Sequence, residues 1–517
     1  MQQQEITVKR VSLFVVFAVL LLGLMPVGAQ ANVLTIASGT DIENTNIHVV
    51  TSSPSFSVLE HIYEPLFNMN EEGVLEPLLA ESIEASGETS YTVKLREGVM
   101  FTDGTPFNAE VAKANIDYVL NADNGSAFRF LLVVAGQPAE VTVVDEYTLE
   151  ITTAIPFAPL AAHLSHGSLA MVSLAALEQG NDFLASNAIG TGPYTLQEWA
   201  RGEQVVLARN PDYWGEAPAI ETLVFKVVQE DGARMVEIES GIVDVAVRVP
   251  PADIPRLEAN PNIDVVITPG LRTIYIFFNV LSEPFDDVRV RQAVNYAVDK
   301  DAIVASLFEN AALVSQAPFA PPIFGYSAQT PYSRDVEKAR ELLAEAGIEE
   351  GTTVVLYHPT GRYIQDALVA DAVRAQLAEV GLNVELRTLE WPQYVPTVRR
   401  TIEDGNDVQF AMLGWGTPTM DADYALYALF HSGEIPPGFN GAFYANPEVD
   451  ALLEAARSTL DPAERQAAYD EAISIIWEDA PWLFLYSEIQ VTAIRNNVSG
   501  FVVHPDESLI ATGAVKE

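Results

Sequence analysis

The chain predicts an α/β protein with a doubly wound, mainly parallel sheet, on three observations. Between Thr353 and Gly414 apolar strands alternate with helical repeats in the order β-α-β-α-β, the pattern of a parallel sheet with helices on its faces. The segment Arg272–Asn279 (RTIYIFFN) carries apolar residues on both of its faces, as a strand covered on both sides does. The length of 517 residues exceeds what one compact core accommodates, so two or three lobes are expected.

Taken in order, residues 1–31 read as an export signal. Lys9 and Arg10 precede an apolar run from Val11 to Met25, and Ala29-Gln30-Ala31 offers small residues for cleavage. The run is about fifteen residues against roughly twenty for a membrane span, so the signal is either cleaved or kept as an anchor. A strand at Val33–Ile36 begins the exported chain, and Tyr63-Glu64-Pro65-Leu66-Phe67 follows. Tyr91–Arg96 alternates as a strand, and Asn108 caps a helix whose face is Val111, Ala114, Asn115 and Tyr118. Strands at Val141–Val144 and Leu149–Thr152 come next. From Gly190 to Pro218 two turn-forming clusters, Gly-Thr-Gly-Pro and Asn-Pro-Asp-Tyr-Trp-Gly, bracket a hairpin. Tyr194, Leu196 and Trp199 belong to one strand, Val205 and Leu207 to the other, and Arg201-Gly202-Glu203 makes the turn.

Beyond the Arg272–Asn279 strand, a helix opening at Asp286 buries Val290, Ala293, Val294, Ala297 and Val298. A second starts near Asp335, packs Val336, Ala339, Leu342, Leu343 and Ala346, and stops at Gly347. The alternating unit then comprises the strand Thr353–Tyr357, the helix Ile364–Val380 ended by Gly381, the strand Asn383–Thr388, the helix Pro392–Ile402 and the strand Val408–Gly414. In its first helix Val369, Ala372, Val373, Leu377 and Val380 point inward. Helices at Pro447–Ser458 and Pro462–Trp477, the latter capped by Asp461, lead to a strand at Trp482–Tyr486.

Composition removes several functions. The 28 basic and 71 acidic residues give a net charge of −43, which argues against binding nucleic acid or anionic lipid, because both need clustered Lys and Arg. The acidic balance serves solubility, as in a saline habitat. Cysteine is absent, which excludes disulfides, thiolate metal sites, cysteine nucleophiles and a lipidated N-terminal Cys. His163-x-x-His166 lacks an acidic ligand at a recognisable spacing and reads as surface or core histidines. Gly190-Thr191-Gly192-Pro193 lacks a following Lys-Ser/Thr and opens no helix, so it is not a phosphate loop. No Gly-x-Ser-x-Gly elbow occurs.

The Gly190–Pro218 segment, together with LREGVMFTDGTPFNAE at residues 95–110, resembles the family 5 extracytoplasmic solute-binding proteins, the peptide, glutathione and nickel receptors of ABC importers. The resemblance implies a type II periplasmic-binding-protein clamshell. Lobe I would comprise residues 32–280 and 486–517, with an extra subdomain at about 71–190, and lobe II residues 281–485. The chain would cross between lobes near residues 280 and 485. It further implies a monomeric, periplasmic or extracellular receptor without cofactor or metal, not an enzyme, whose partners are a small solute and an ABC permease. Nickel chelates, opines and oligosaccharides are ligands of other branches, a sensory role is a further alternative, and an exported hydrolase is the rival of another class.

In doubly wound sheets ligands sit beyond the carboxyl ends of the strands. Two loops meet that condition: His358-Pro359-Thr360-Gly361-Arg362-Tyr363 and Trp415–Tyr424. Arg362 is the expected anchor for a ligand carboxylate, since its planar fork makes two parallel hydrogen bonds; the rival role is an exposed arginine at a helix start. The resemblance supports the anchor, because an arginine at about this place binds the peptide carboxylate in dipeptide receptors. Asp421 and Asp423 either pair with a ligand ammonium group or cap the next helix; binding is assigned to Asp421 and capping to Asp423. Trp415 is either a ligand wall or core, and His358 is a lone histidine in the expected cleft. Arg272 is either a carboxylate partner or half of a structural ion pair. Free-amine peptide receptors resemble GWxxDxxDPD here, whereas this chain has Pro418 where their first Asp stands. The stretch GWGTPTMDADYALYALF with Asn440-Gly441-Ala442-Phe443-Tyr444 is closer to the glutathione-binding branch.

Overall fold

The computed structural model describes residues 32–309 and 311–517; the expected export signal lies outside the described residues. Two long antiparallel strands, Ile263–Phe278 and Trp482–Arg495, form the spine of an 11-stranded sheet. They pair from Ile263↔Arg495 to Pro269↔Ile489, lose register, and resume from Thr273↔Ser487 to Phe277↔Trp482. At the break Gly270 lies so close to the Glu488 carbonyl that a Cβ would sit 2.5 Å from its oxygen.

On one side of the break the spine borders Val245–Ala246, then Val33–Ser38, Thr222–Val227 and the hairpin. On the other side it borders Ala312–Val314 and Phe410–Trp415, followed by Thr352–Thr360 and Leu382–Glu390. The strands therefore change neighbours at Pro269–Thr273, upstream of the expected crossing near 280, and at Ser487–Ile489, close to the one near 485. The parallel expectation holds within the 352–415 unit and around Val33–Ser38. It fails for the sheet as a whole, because both spine strands pair antiparallel to their neighbours. All of Leu271–Phe278 is buried, as its two apolar faces predict, and Tyr275 stacks on Trp482 with ring centroids 3.5 Å apart.

A separate four-stranded antiparallel sheet joins Ala80–Ala85, Ser90–Leu95, Thr148–Thr152 and Glu140–Asp145. The helix Ala109–Leu120 accompanies it, and the Asn108 side chain accepts from the Val111 amide as its cap. That helix buries Ala109, Ala112, Ile116 and Val119 as well as Val111 and Asn115. Ala114 and Tyr118, expected on the buried face, pack partly against a second core. Other expected helices appear at Val288–Ala297, Val336–Glu345, Asp366–Glu379, Trp391–Val398, Pro447–Ser458 and Pro462–Asp479. The helices Asp231–Ser240 and Lys300–Leu307 were not anticipated; they are short and their apolar faces narrow.

The hairpin forms as Tyr194–Ala200 against Gln204–Arg209, with an irregularity between Leu196 and Glu198 and Gly202 in the turn at φ 75°. Its glycines and aromatics answer to the buried Glu64. Thr191 Oγ1, Tyr213 Oη and Trp214 Nε1 all donate to that carboxylate, at 2.7, 2.8 and 2.8 Å. For the hairpin to reach it, Gly190 and Gly192 press against the backbone at Ile62; a Cβ on Gly190 would lie 2.0 Å from the Ile62 carbonyl oxygen. Backbone cannot yield as a flexible side chain can. Gly190→Ala is therefore expected to lower the melting temperature by several degrees or abolish soluble protein. Gly232→Ala, in a helix where a Cβ meets nothing within 4 Å, should stabilise by about 0.5–1 kcal/mol. Thermal melts of the two variants check both, and equal melts would overturn the steric account.

Candidate functional site

A cleft of about 670 Å3 opens beside the spine, within the size range of small-molecule sites. Both loops beyond the parallel strands reach it: Arg362 and Tyr363 from one, Trp415, Gly416 and Pro418 from the other. Further lining comes from the helix Ser53–Leu59 and its exit at Glu60, from Arg272 and Tyr275 on the spine, from Trp391 and Arg399, and from the C-terminal segment at His504, Asp506 and Ser508.

Arg362 is buried and its guanidinium meets a carboxylate of the chain itself: Nη2 donates to Glu507 Oε2 at 3.0 Å. Arg272 holds the same carboxylate in a two-point grip, Nε to Oε1 and Nη2 to Oε2, each at 2.8 Å. Its remaining donors go to the Gly414 carbonyl at 2.7 Å and Ser53 Oγ at 2.5 Å. Burial disfavours a charged Glu507, but Arg272 and Arg362 outweigh it and hold its carboxyl well below the usual carboxylate range. Of the two readings of Arg272, the structure displays the ion pair.

The other expected residues lie outside the cleft lining. The helix cap is Asp421, not Asp423. Asp421 accepts from the Asp423 amide at 3.0 Å, ahead of Ala422–Phe430, and from Arg465 Nη2 at 2.9 Å. Asp423 is fully buried against Arg457 Nε at 3.0 Å and His163 Nε2 at 3.2 Å. Burial opposes its charge, yet Arg457 and His163 keep its carboxyl below the ordinary value. Arg457 also donates to the Phe130 and Val133 carbonyls, tying that segment to its helix. His358 falls inside the strand Thr352–Thr360, which runs past the expected end at Tyr357. Its imidazole is buried against Thr388 Oγ1, the residue beside it in register, at 2.8 Å. His163 is core, and His166, also buried, borders the cleft with its Nε2 2.8 Å from Tyr424 Oη.

Trp415 contributes a wall. Its ring packs against Tyr424 and Phe439 at centroid distances of 5.2 and 4.8 Å, and its Nε1 has no partner among the described residues.

Several cleft residues escaped the reading of the sequence. Glu60, His504, Asp506 and Ser508 form an acidic corner. Ser508 Oγ donates to Glu60 Oε2 at 3.0 Å, and Asp506 Oδ1 accepts from His504 Nδ1 and the Ser508 amide, both at 2.8 Å. Burial and the neighbouring Asp506 charge push the Glu60 carboxyl up to about 8. Burial opposes protonation of His504, but Asp506 prevails and raises it to about 9. The one cue was the charged cluster His504-Pro505-Asp506-Glu507, which has no periodicity to assign it a role.

These shifts share a sign. The folded state keeps the His504 proton up to about 9 against 6.5 for the free group, so its contribution is complete below pH 6.5 and lost as pH rises toward 9. Glu60 keeps its proton to about 8 against 4.5, so its contribution fades across pH 4.5–8. The melting temperature should therefore fall between pH 6.5 and 9, and His504→Gln should flatten that fall. Fluorimetric melts at stepped pH check this; an unchanged slope in the variant would assign the titration elsewhere.

Comparison with known proteins agrees with this architecture. The profile of bacterial extracellular solute-binding proteins, family 5 middle, matches residues 74–437. The glutathione-binding protein GsiB of Shigella dysenteriae is 33% identical over 480 residues, 92% of each chain. That of Pectobacterium atrosepticum is 34% identical over 479 residues, 91% of each. The solved structure of the periplasmic binding protein DppA from Helicobacter pylori, in complex with the peptide STSA, superposes with a TM-score of 0.86 at 26% identity, covering 94% of this chain and 98% of that one. With a profile spanning most of the chain and relatives similar over nearly its full length, this protein belongs to family 5 of the bacterial extracellular solute-binding proteins.

Proposed function

We propose that the protein is the substrate-binding receptor of an ABC importer, exported from the cytoplasm, and that it captures a short peptide or glutathione-like solute. The observation that carries this reading is the cleft itself, whose lining combines an acidic corner, guanidinium groups and aromatic rings. Such a layout suits a zwitterion of peptide size, and the names of the GsiB and DppA relatives fit the same ligand class. The spine strands supply the hinge where their register breaks, at Pro269–Thr273 and Ser487–Ile489, so the lobes divide there and not at the expected boundaries near 280 and 485. Ligand favours the shut state only through contacts made to both lobes.

Within this reading Glu60 and Asp506 receive the ligand ammonium, and a cation there offsets the burial and the Asp506 charge that together hold the Glu60 proton. Trp415 and Arg362 face the ligand, whereas Arg272, Asp421, Asp423 and His358 keep the cleft in shape. Asp421 and Asp423 already carry arginine partners, so a ligand amine would have to displace a buried ion pair. A receptor also needs no nucleophile, which separates it from an exported hydrolase.

Mass spectrometry of solute co-purified with the protein, followed by calorimetry with that compound, tests the reading. Binding without turnover is expected, and steady product release would sink it. Asp506→Asn should weaken an amine-bearing ligand by about 1.5–3 kcal/mol while leaving its N-acetylated form little changed. Equal losses for both forms would remove Asp506 from the amine site.

A further inference from the structure

Three guanidinium groups line the cleft: Arg272, Arg362 and Arg399. The first two share the carboxylate of Glu507. Arg399 stands apart. It closes the helix Trp391–Val398, its guanidinium lies 4.1 Å over the Phe439 ring, and its Nη2 donates to the Pro437 and Gly438 carbonyls at 2.8 and 3.1 Å. Among the described residues no carboxylate approaches it within the 4.0 Å of an ion pair. Among the described residues its Nε, shielded from solvent, has no hydrogen-bond partner and Nη1 donates to none of them, so most of the guanidinium's five donors stay unused. Burial pushes this arginine down to about 10, with only partial relief from Glu43, Tyr275 and Glu434.

A half-buried cation that lacks a counter-charge is costly, and an anion that supplies one recovers that cost. Glu507 grips Arg272 at two points and meets Arg362 through one Nη2, leaving the Arg362 Nε unpartnered among the described residues; a ligand carboxylate at either arginine would compete with a carboxylate tethered to the same chain. We infer that Arg399 is the anchor for the ligand's carboxylate, with Glu507 acting as an internal carboxylate that directs the ligand to it. This inference rests on the receptor reading above. It also assigns the anionic end of the ligand to a residue that neither of the two loops beyond the parallel strands contains.

Calorimetry on the full protein tests it, with reduced glutathione and short peptides each supplied as the free acid and as the C-terminal amide. The wild type should bind the acid roughly tenfold to hundredfold more tightly than the amide. Arg399→Gln should bind both forms equally, at the amide's affinity, and Arg399→Lys, which keeps the charge and the packing on Phe439, should restore part of the preference. Melting temperatures of the variants report whether the fold is intact. An acid preference that survives in Arg399→Gln overturns the assignment, as does a wild type that binds acid and amide alike. If the wild type binds none of these compounds, the receptor reading falls for this ligand class and takes the assignment with it.

Discussion

The carboxylate of Glu507 is the contact on which this architecture depends. It joins three parts of the chain distant in sequence: the spine strand through Arg272, the loop after a parallel strand through Arg362, and the C-terminal segment that carries it. Its backbone sits at φ 81°, a left-handed conformation that non-glycine residues rarely adopt. Such strain costs of order 1–3 kcal/mol. Three charge-assisted hydrogen bonds, each worth about 1.5–3 kcal/mol net, are enough to hold it. The same segment reaches the helix Ser53–Leu59, where the Leu509 amide donates to Ser57 Oγ and Ser508 Oγ to Glu60. One carboxylate thereby positions both the guanidinium wall and the acidic corner of the cleft.

A wider use of arginine surrounds it. With 28 basic residues against 71 acidic ones, several of the scarce cations are buried fasteners. Arg457 links Asp423 to the carbonyls of Phe130 and Val133, Arg465 links Asp421 to Tyr469, and Arg291 donates to the Asp479 and Phe285 carbonyls. The planar guanidinium satisfies several acceptors at once, which a lysine ammonium does less well. Among the three cleft arginines, Arg399 is the one that meets carbonyls and an aromatic face but, among the described residues, no carboxylate.

Much of the fold was legible because local rules govern it. The caps at Asn108 and Asp461 form as read, Asp287 and Asp335 cap the helices expected to open beside them, and the Arg272–Asn279 run, apolar on both faces, is buried. Less of the site was legible. Topology brought Arg362 and Trp415 to the cleft, because both follow parallel strands that end on one edge. It said nothing about Asp421 and Asp423, whose partners Arg465 and Arg457 lie in helices more than thirty residues downstream. His358 was misplaced by a strand that runs three residues past its expected end.

The sequence by itself determined the elements, the family and the meaning of its hairpin motif, since periodicity, capping and glycine punctuation act over a few residues. Gly190, Gly192, Tyr213 and Trp214 converge on Glu64, which with Tyr213 lines the cleft. Only the tertiary structure decided which charges are already neutralised and which remain available in the cleft. Pairing is a matter of distance in space, and Arg272 meets Glu507 across 235 positions of chain, a separation at which no local pattern carries information.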